Sequence, residues 1–138
     1  MGILSDIYVS NEDDAAKYDI TPDVFVDRAQ FSSLTPLEYS MLWAAIRGVP
    51  WEASLLRDFV CVLQQDGGER LIHKFPVAML MELVHLTTDQ TREASAKWAA
   101  SDELACSPAD ILPVVEGLKR LADRAVASGR NLYLWNCV

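Results

Sequence analysis

The two histidines, His73 and His85, are the side chains best suited to proton transfer or metal binding near neutral pH. The local patterns place His73 in a strand and His85 in a helix. A metal site or a nucleophilic site would require acidic residues or Cys61 to fold against them, and the spacing does not indicate that arrangement. A ligand or substrate pocket near His73 and His85 is therefore one hypothesis. Two packed histidines with ordinary structural roles are the competing one.

The three cysteines, Cys61, Cys106 and Cys137, have neither the CxxC pattern nor the spacing of zinc ligands. An odd number of cysteines argues against a disulfide framework and for a reducing compartment, so we expect a cytoplasmic protein. The ordinary interpretation of each cysteine is a small buried apolar residue. No metal is predicted.

Motifs for common cofactors and catalytic mechanisms are missing from the sequence. It has no GxGxxG, Walker loop, GxSxG or HExxH, and the pair Gly67-Gly68 is too short to hold a phosphate. The adjacent carboxylates of Asp13 and Asp14 would point apart on a helix and stay solvated. We predict no cofactor, and the sequence favours a non-enzymatic protein over an enzyme.

Acidic residues concentrate in the first 35 residues, which contain seven of them against two basic residues, in a chain of net charge −8. Such a field repels nucleic-acid backbones and anionic lipids, so neither is an expected partner. Asn11 and the carboxylates that follow it fit the start of a short helix at about 12–18. Of the other acids, three chiefly form the predicted surface for a protein partner, which would be basic: Asp19, Asp23 and Asp27.

Four tryptophans in 138 residues are more than average use. Tryptophan fills cores and also dominates interface hot spots, because it buries a large area and keeps one hydrogen-bond donor. We expect the core interpretation for most of them. Trp51 and Trp135 join the predicted partner surface if their side chains are exposed.

The sequence indicates no association with a membrane. No basic N-terminal region precedes an apolar run, and the longest apolar candidate, residues 77–86, is interrupted by Glu82 and His85.

In the first half of the chain, β-branched and aromatic residues predict a strand at 3–9, and a weaker pattern indicates an extended segment at 23–31. The TPLE sequence at 35–38 is the start signal of a helix, because Thr can cap, Pro suits the first turn and Glu can close a capping box. The helical spacing of apolar residues then continues to Gly48.

From residue 51 the pattern is ambiguous. We expect one or two helical turns and then a hairpin, with strands at 59–65 and 69–75 around the Asp66-Gly67-Gly68 turn. The alternative is a continuous helix that ends at Gln65. Further helices are predicted after Pro76, at Thr88 and at Ser107, and a closing strand is predicted at 131–138.

These elements predict an α+β fold in a single domain, residues 1–138. The chain would be mainly helical, with a small antiparallel sheet built from the N-terminal strand, the central hairpin and the C-terminal strand. Edge strands near both termini would allow two copies to pair across a two-fold axis, so a homo-oligomer is compatible with either function below.

Three segments resemble a set of small uncharacterised bacterial proteins: the MGILSD opening, the LTPLE helix start followed by Leu42 and Trp43, and the LYLW ending at 132–135. The resemblance spans nearly the whole chain and implies a self-contained domain from the bacterial cytoplasm. It carries no activity and no site residue, because its motifs are helix caps and core aromatics.

Two functions of different classes follow from these patterns. The first is a non-enzymatic binding or accessory protein that docks a protein partner through its acidic N-terminal third and nearby aromatics. An immunity protein that neutralises a basic toxin would be a special case. The second is an enzyme or small-ligand binder with a pocket between the hairpin and the helix after Pro76.

Overall fold

The computed structural model describes residues 2–138, so Met1, the first residue of the opening motif, lies outside it. Helices account for 50% of the chain and strands for 22%, which confirms the α+β class. Ten helices and strands follow one another: β1 (Leu4–Ser10), β2 (Arg28–Ser32), α1 (Pro36–Arg47), α2 (Ala53–Arg57), β3 (Val60–Gln65), β4 (Arg70–Lys74), α3 (Val77–Val84), α4 (Thr88–Ala99), α5 (Pro108–Ala127) and β5 (Asn131–Cys137). Short 3-10 turns cover Ala15–Asp19, Pro22–Val24 and Asp66–Gly68.

All five strands belong to one antiparallel sheet with the order β2-β1-β5-β4-β3. The closing strand β5 pairs with β1 on one side and with β4 of the hairpin on the other. The two terminal strands are therefore central, and the expectation of edge strands near both termini is wrong. The free edges belong to β2 and β3, since each of these strands has a single neighbour in the sheet.

The two faces of the sheet are covered by different parts of the chain. Side chains alternate along each strand, so Ile7 and Leu134 join the main core under the helices, whereas Tyr8 and Tyr133 point to the opposite face. The helix α5 crosses the main face and contacts both central strands. The opposite face carries a smaller aromatic core.

The predicted starts of α1 and α5 are confirmed, and each has a capping contact. Glu38 Oε1 accepts a hydrogen bond from the Thr35 backbone N–H at 2.8 Å, Pro36 occupies the first turn, and α1 ends at Gly48, whose φ is +68°. At the start of α5 the cap side chain itself is the acceptor, because Ser107 Oγ accepts a hydrogen bond from the Ala109 backbone N–H at 3.3 Å.

The structure decides three further predictions of secondary structure. The hairpin interpretation of residues 59–75 is confirmed and the continuous helix ending at Gln65 is wrong. The expected helix at 12–18 is wrong in type and position, because Asn11 Oδ1 accepts from the Asp14 N–H at 2.8 Å and closes a turn before the 3-10 turn Ala15–Asp19 begins. The extended segment at 23–31 is confirmed only at its end, where β2 adds a fifth strand to the sheet.

Candidate protein-interaction surface

The segment 11–27, called the N-terminal segment below, lies across the sheet face opposite the helices. Its 3-10 turn stacks Tyr18 on Tyr8 of β1, with ring centroids 4.1 Å apart. The Tyr8 hydroxyl donates to the Ala15 carbonyl at 2.6 Å, and both groups are buried. These contacts seat the segment on the sheet by aromatic packing, a role that its high acid content did not indicate.

Asp19, the first predicted partner residue, is an internal anchor of this segment. Its Oδ1 accepts hydrogen bonds from Arg70 Nε on β4 at 2.8 Å and from Trp135 Nε1 on β5 at 2.9 Å. Only 6% of the Asp19 side chain is exposed. Burial raises the pKa of Asp19, but the hydrogen bonds from Trp135 and Arg70 outweigh it, so the pKa is lowered overall and the group is a carboxylate at neutral pH.

The other two predicted acids differ from each other in exposure. Asp23 is 92% exposed and accepts a hydrogen bond from Arg28 Nη2 at 3.2 Å. Asp27 is less exposed and pairs with Arg124 on α5, which ties the end of the segment to the helical layer. Asp23 is therefore the predicted acid that the structure presents most openly to solvent.

Three aliphatic side chains of the segment are turned to solvent, and sequence reasoning missed them. Ile20, Val24 and Val26 are 82%, 69% and 92% exposed. Isoleucine and valine in a sequence usually indicate burial. The only sign of exposure here is that each of the three is next to an acid, at 19, 23 or 27. The segment thus combines an exposed apolar surface with exposed carboxylates.

Asp6 on β1 is a second residue that the sequence analysis did not single out. It is buried, and its Oδ2 accepts a hydrogen bond from the Tyr18 hydroxyl at 2.7 Å. A pocket of 390 Å³ beside it brings together Asp19, Asp23 and Trp135, three of the five predicted partner residues. The signal that could have found Asp6 is a single carboxylate inside a β-branched and aromatic strand.

The tryptophans divide between core and surface. Trp43 and Trp98 are buried in the main core, as expected. Trp135 is half-buried and its indole N–H is used by Asp19. Trp51 is partly exposed in the loop before α2, where its Nε1 donates to Ser40 Oγ at 2.9 Å, and it lines a groove that does not include the N-terminal segment.

The two histidines lie on separate elements and in different environments. His73 is half-buried on β4, where burial lowers its pKa, and its Nδ1 has no hydrogen-bond partner within residues 2–138. His85 is exposed at the end of α3, with its Nδ1 2.7 Å from the Met81 carbonyl oxygen. It lines a groove with Arg47 and Glu82 that does not include His73.

The cysteine and metal predictions have separate outcomes. All three cysteines are free; Cys61 is exposed on the edge strand β3, so its interpretation as a buried apolar residue is wrong. Cys106 and Cys137 are partly buried. In the described chain, no three His, Cys, Asp or Glu side chains come together in a way that could hold a metal ion.

Comparisons with known proteins add no relative. No family model, no curated protein and no solved structure matches this chain. The resemblance to small uncharacterised bacterial proteins therefore stays a prediction. None of the helices within residues 2–138 has both the length and the apolar composition required to cross a membrane.

Proposed function

We propose that this protein is a non-enzymatic binding or accessory protein that docks a basic protein partner through its N-terminal segment. The observation that carries the proposal is the exposure of Ile20, Val24 and Val26 in the most acidic part of the chain. Apolar side chains that are exposed to this degree within one short segment are typical of interaction sites, because leaving them in water forgoes the hydrophobic stabilisation that burial gives.

The anchoring of the segment supports docking onto a preformed surface. Tyr8, Tyr18 and Asp19 hold its first half against the sheet, and Asp27 holds its end through Arg124. The exposed aliphatic side chains therefore project from a fixed backbone, and a partner would not have to order a flexible loop on binding.

The charge of the segment supports a basic partner. Glu12, Asp13 and Asp23 are exposed in it, and their field would speed the approach of a positively charged surface and disfavour acidic ones. The apolar side chains would supply the contact area. Binding should accordingly weaken with salt without being abolished.

The proposed setting is the bacterial cytoplasm. It rests on the resemblance to bacterial proteins and on three free cysteines, which suit a reducing compartment. Self-association is compatible with this function, because β2 and β3 each have a free edge at which two copies could pair.

Site-specific photo-cross-linking tests the proposal. A photoreactive amino acid at position 26 should give a discrete cross-linked partner in the source bacterium, to be identified by mass spectrometry. The matched control is position 77, an exposed valine at the start of α3 on the helical side of the sheet, which should not give that product. Combined substitution of Ile20→Ser, Val24→Ser and Val26→Ser should abolish binding of the identified partner to the purified protein.

Either of two results would contradict the proposal. If positions 20, 24 and 26 give no product beyond that of position 77, or if the triple serine variant binds the identified partner unchanged, the N-terminal segment is not the docking surface.

A further inference from the structure

The pocket beside Asp6 lies where the N-terminal segment meets β1, β2 and β5. It has a volume of 390 Å³, and Pro22 and Asp23 of the segment line it. Its walls combine aromatic rings with charged and amide groups: Asp6, Tyr18, Asp23, Arg28, Gln30 and Trp135. Asp23 thus belongs both to this pocket and to the surface proposed for partner binding.

The charges around this pocket leave one carboxylate without a cation. Asp19 pairs with Arg70, and Asp23 pairs with Arg28. Asp6 makes no ion pair with any lysine or arginine in the part of the chain that the structure describes. A buried carboxylate is costly to desolvate, and the cost is offset best by a positive charge.

Asp6 also retains an unused oxygen. It is 7% exposed, and its Oδ2 accepts from the Tyr18 hydroxyl at 2.7 Å and from Gln30 Nε2 at 3.5 Å. Its Oδ1 accepts no hydrogen bond from any of residues 2–138, and it is not among the fully enclosed polar atoms. Asp6 Oδ1 is therefore free to accept a hydrogen bond from a ligand in the pocket.

We propose that this pocket receives an arginine side chain of the protein partner, an inference that deepens the proposed function and rests on it. The guanidinium carries the one positive charge that Asp6 lacks, and its N–H groups would donate to Asp6 Oδ1. Its flat face suits the half-buried ring of Trp135 in the pocket wall, since arginine stacks on aromatic rings more readily than lysine does.

Arg28 already lines this pocket and would compete there with the arginine of the partner. Its guanidinium lies beside the Tyr18 hydroxyl and donates to Asp23, which also lines the pocket. Removing its charge would free Asp23 and relieve repulsion of an incoming cation. The proposal therefore predicts opposite effects of two substitutions in one pocket, weaker binding for Asp6→Asn and tighter binding for Arg28→Gln.

The test uses the purified full chain and N-acetylarginine methylamide as the probe, with the Trp135 indole N–H followed by NMR. The arginine probe should shift this signal in a saturable way, and the matching citrulline derivative, which is neutral and nearly isosteric, should not. Asp6→Asn should weaken arginine binding by about tenfold or more, the loss expected for a charge-assisted hydrogen bond. Asp102→Asn, at an exposed acid far along the chain, is the control and should leave the affinity unchanged.

The inference is overturned if citrulline and arginine derivatives bind alike, or if folded Asp6→Asn binds arginine as the parent does. Should Asp6→Asn fail to fold, Asp23→Asn and Arg28→Gln decide the matter, since they must weaken and strengthen binding respectively. A failure of the arginine-pocket inference can be told apart from a failure of the proposed function. Loss of arginine selectivity with intact cross-linking at position 26 refutes the pocket alone, whereas loss of cross-linking refutes the docking surface.

Discussion

Trp135 donates its indole N–H to the Asp19 carboxylate at 2.9 Å and so joins residues that are 116 positions apart. The same oxygen accepts from Arg70 at 2.8 Å, so one carboxylate connects the N-terminal segment to two neighbouring strands of the sheet. An acid that the sequence presents as a surface charge is thus a structural element, and it positions the exposed aliphatic residues that follow it.

Replacing Asp19 should destabilise the protein at neutral pH. Asp19→Asn keeps an acceptor for Trp135 but removes the charge that Arg70 faces, and we expect a loss of about 1–3 kcal/mol in the free energy of unfolding. Urea denaturation at pH 7 measures it, with the exposed Asp102→Asn as control. A change no larger than that of the control would contradict the anchoring role.

The effect of Asp19→Asn should depend on pH in a defined direction. The pKa of Asp19 in the folded state is below its ordinary value of 3.8. A group with a depressed pKa stabilises the folded state fully above its unfolded pKa and loses that contribution as the pH falls through its folded pKa. The difference in unfolding free energy between parent and variant should therefore be constant above about pH 5 and shrink below pH 3.8. A difference that grows on acidification would contradict this.

Two tyrosine hydroxyls on the aromatic face provide a matched pair. Tyr8 donates to the buried Ala15 carbonyl, whereas the buried Tyr133 hydroxyl has no hydrogen-bond partner in residues 2–138. Tyr8→Phe should cost about 1–2 kcal/mol of stability because it leaves that carbonyl unsatisfied, and Tyr133→Phe should change stability by less than about 0.5 kcal/mol or increase it. Equal losses in thermal or urea unfolding would show that the Tyr8 hydrogen bond does not hold the segment.

Glu82 is expected to stabilise the helical layer. It accepts from Trp43 Nε1 at 2.8 Å and from Arg47 Nε at 2.9 Å, linking α3 to α1. Glu82→Ala should lower the unfolding free energy by about 1–3 kcal/mol, because it removes charged hydrogen bonds and leaves the Trp43 donor without its acceptor. Glu93→Ala removes only an exposed i,i+4 pair with Lys97 and should cost less than about 0.5 kcal/mol. Chemical denaturation of both variants makes the comparison.

The exposed aliphatic side chains should be dispensable for folding. The combined Ile20→Ser, Val24→Ser and Val26→Ser variant should unfold within about 1 kcal/mol of the parent, since none of these side chains is buried in the free protein. Differential scanning calorimetry checks this and serves as the folding control for the cross-linking experiment. A large loss of stability would mean that these residues pack in the free protein.

Local signals in the sequence predicted much of the secondary structure. The cap of α1 requires only residues within one helical turn, and the hairpin around Gly67 depends on a turn whose φ angles are positive at residues 66–68. Such signals act between residues close in sequence, so they can be recognised before the fold is known. The turn at Asn11 shows their limit, because the same capping residue can close a short turn as readily as begin a helix.

The site depended on contacts that the sequence does not reveal. Asp19 and Asp23 look equivalent in the sequence, yet one is sequestered by Arg70 and the other is open to solvent. Which acid is buried beside Arg70 and Trp135 depends on the order of the strands, and that order depends on the packing of all the buried faces together.

By itself, the sequence determined the α+β class, the main helix starts and the concentration of acid near the N-terminus, because these follow from residue type and short-range spacing. Only the tertiary structure decided that the terminal strands are central, that Asp6 lines a pocket, and that Ile20, Val24 and Val26 face solvent. The physical reason is that exposure and ion pairing are set by long-range packing. The pairing of β1 with β5 joins opposite ends of the chain, and no local preference specifies it.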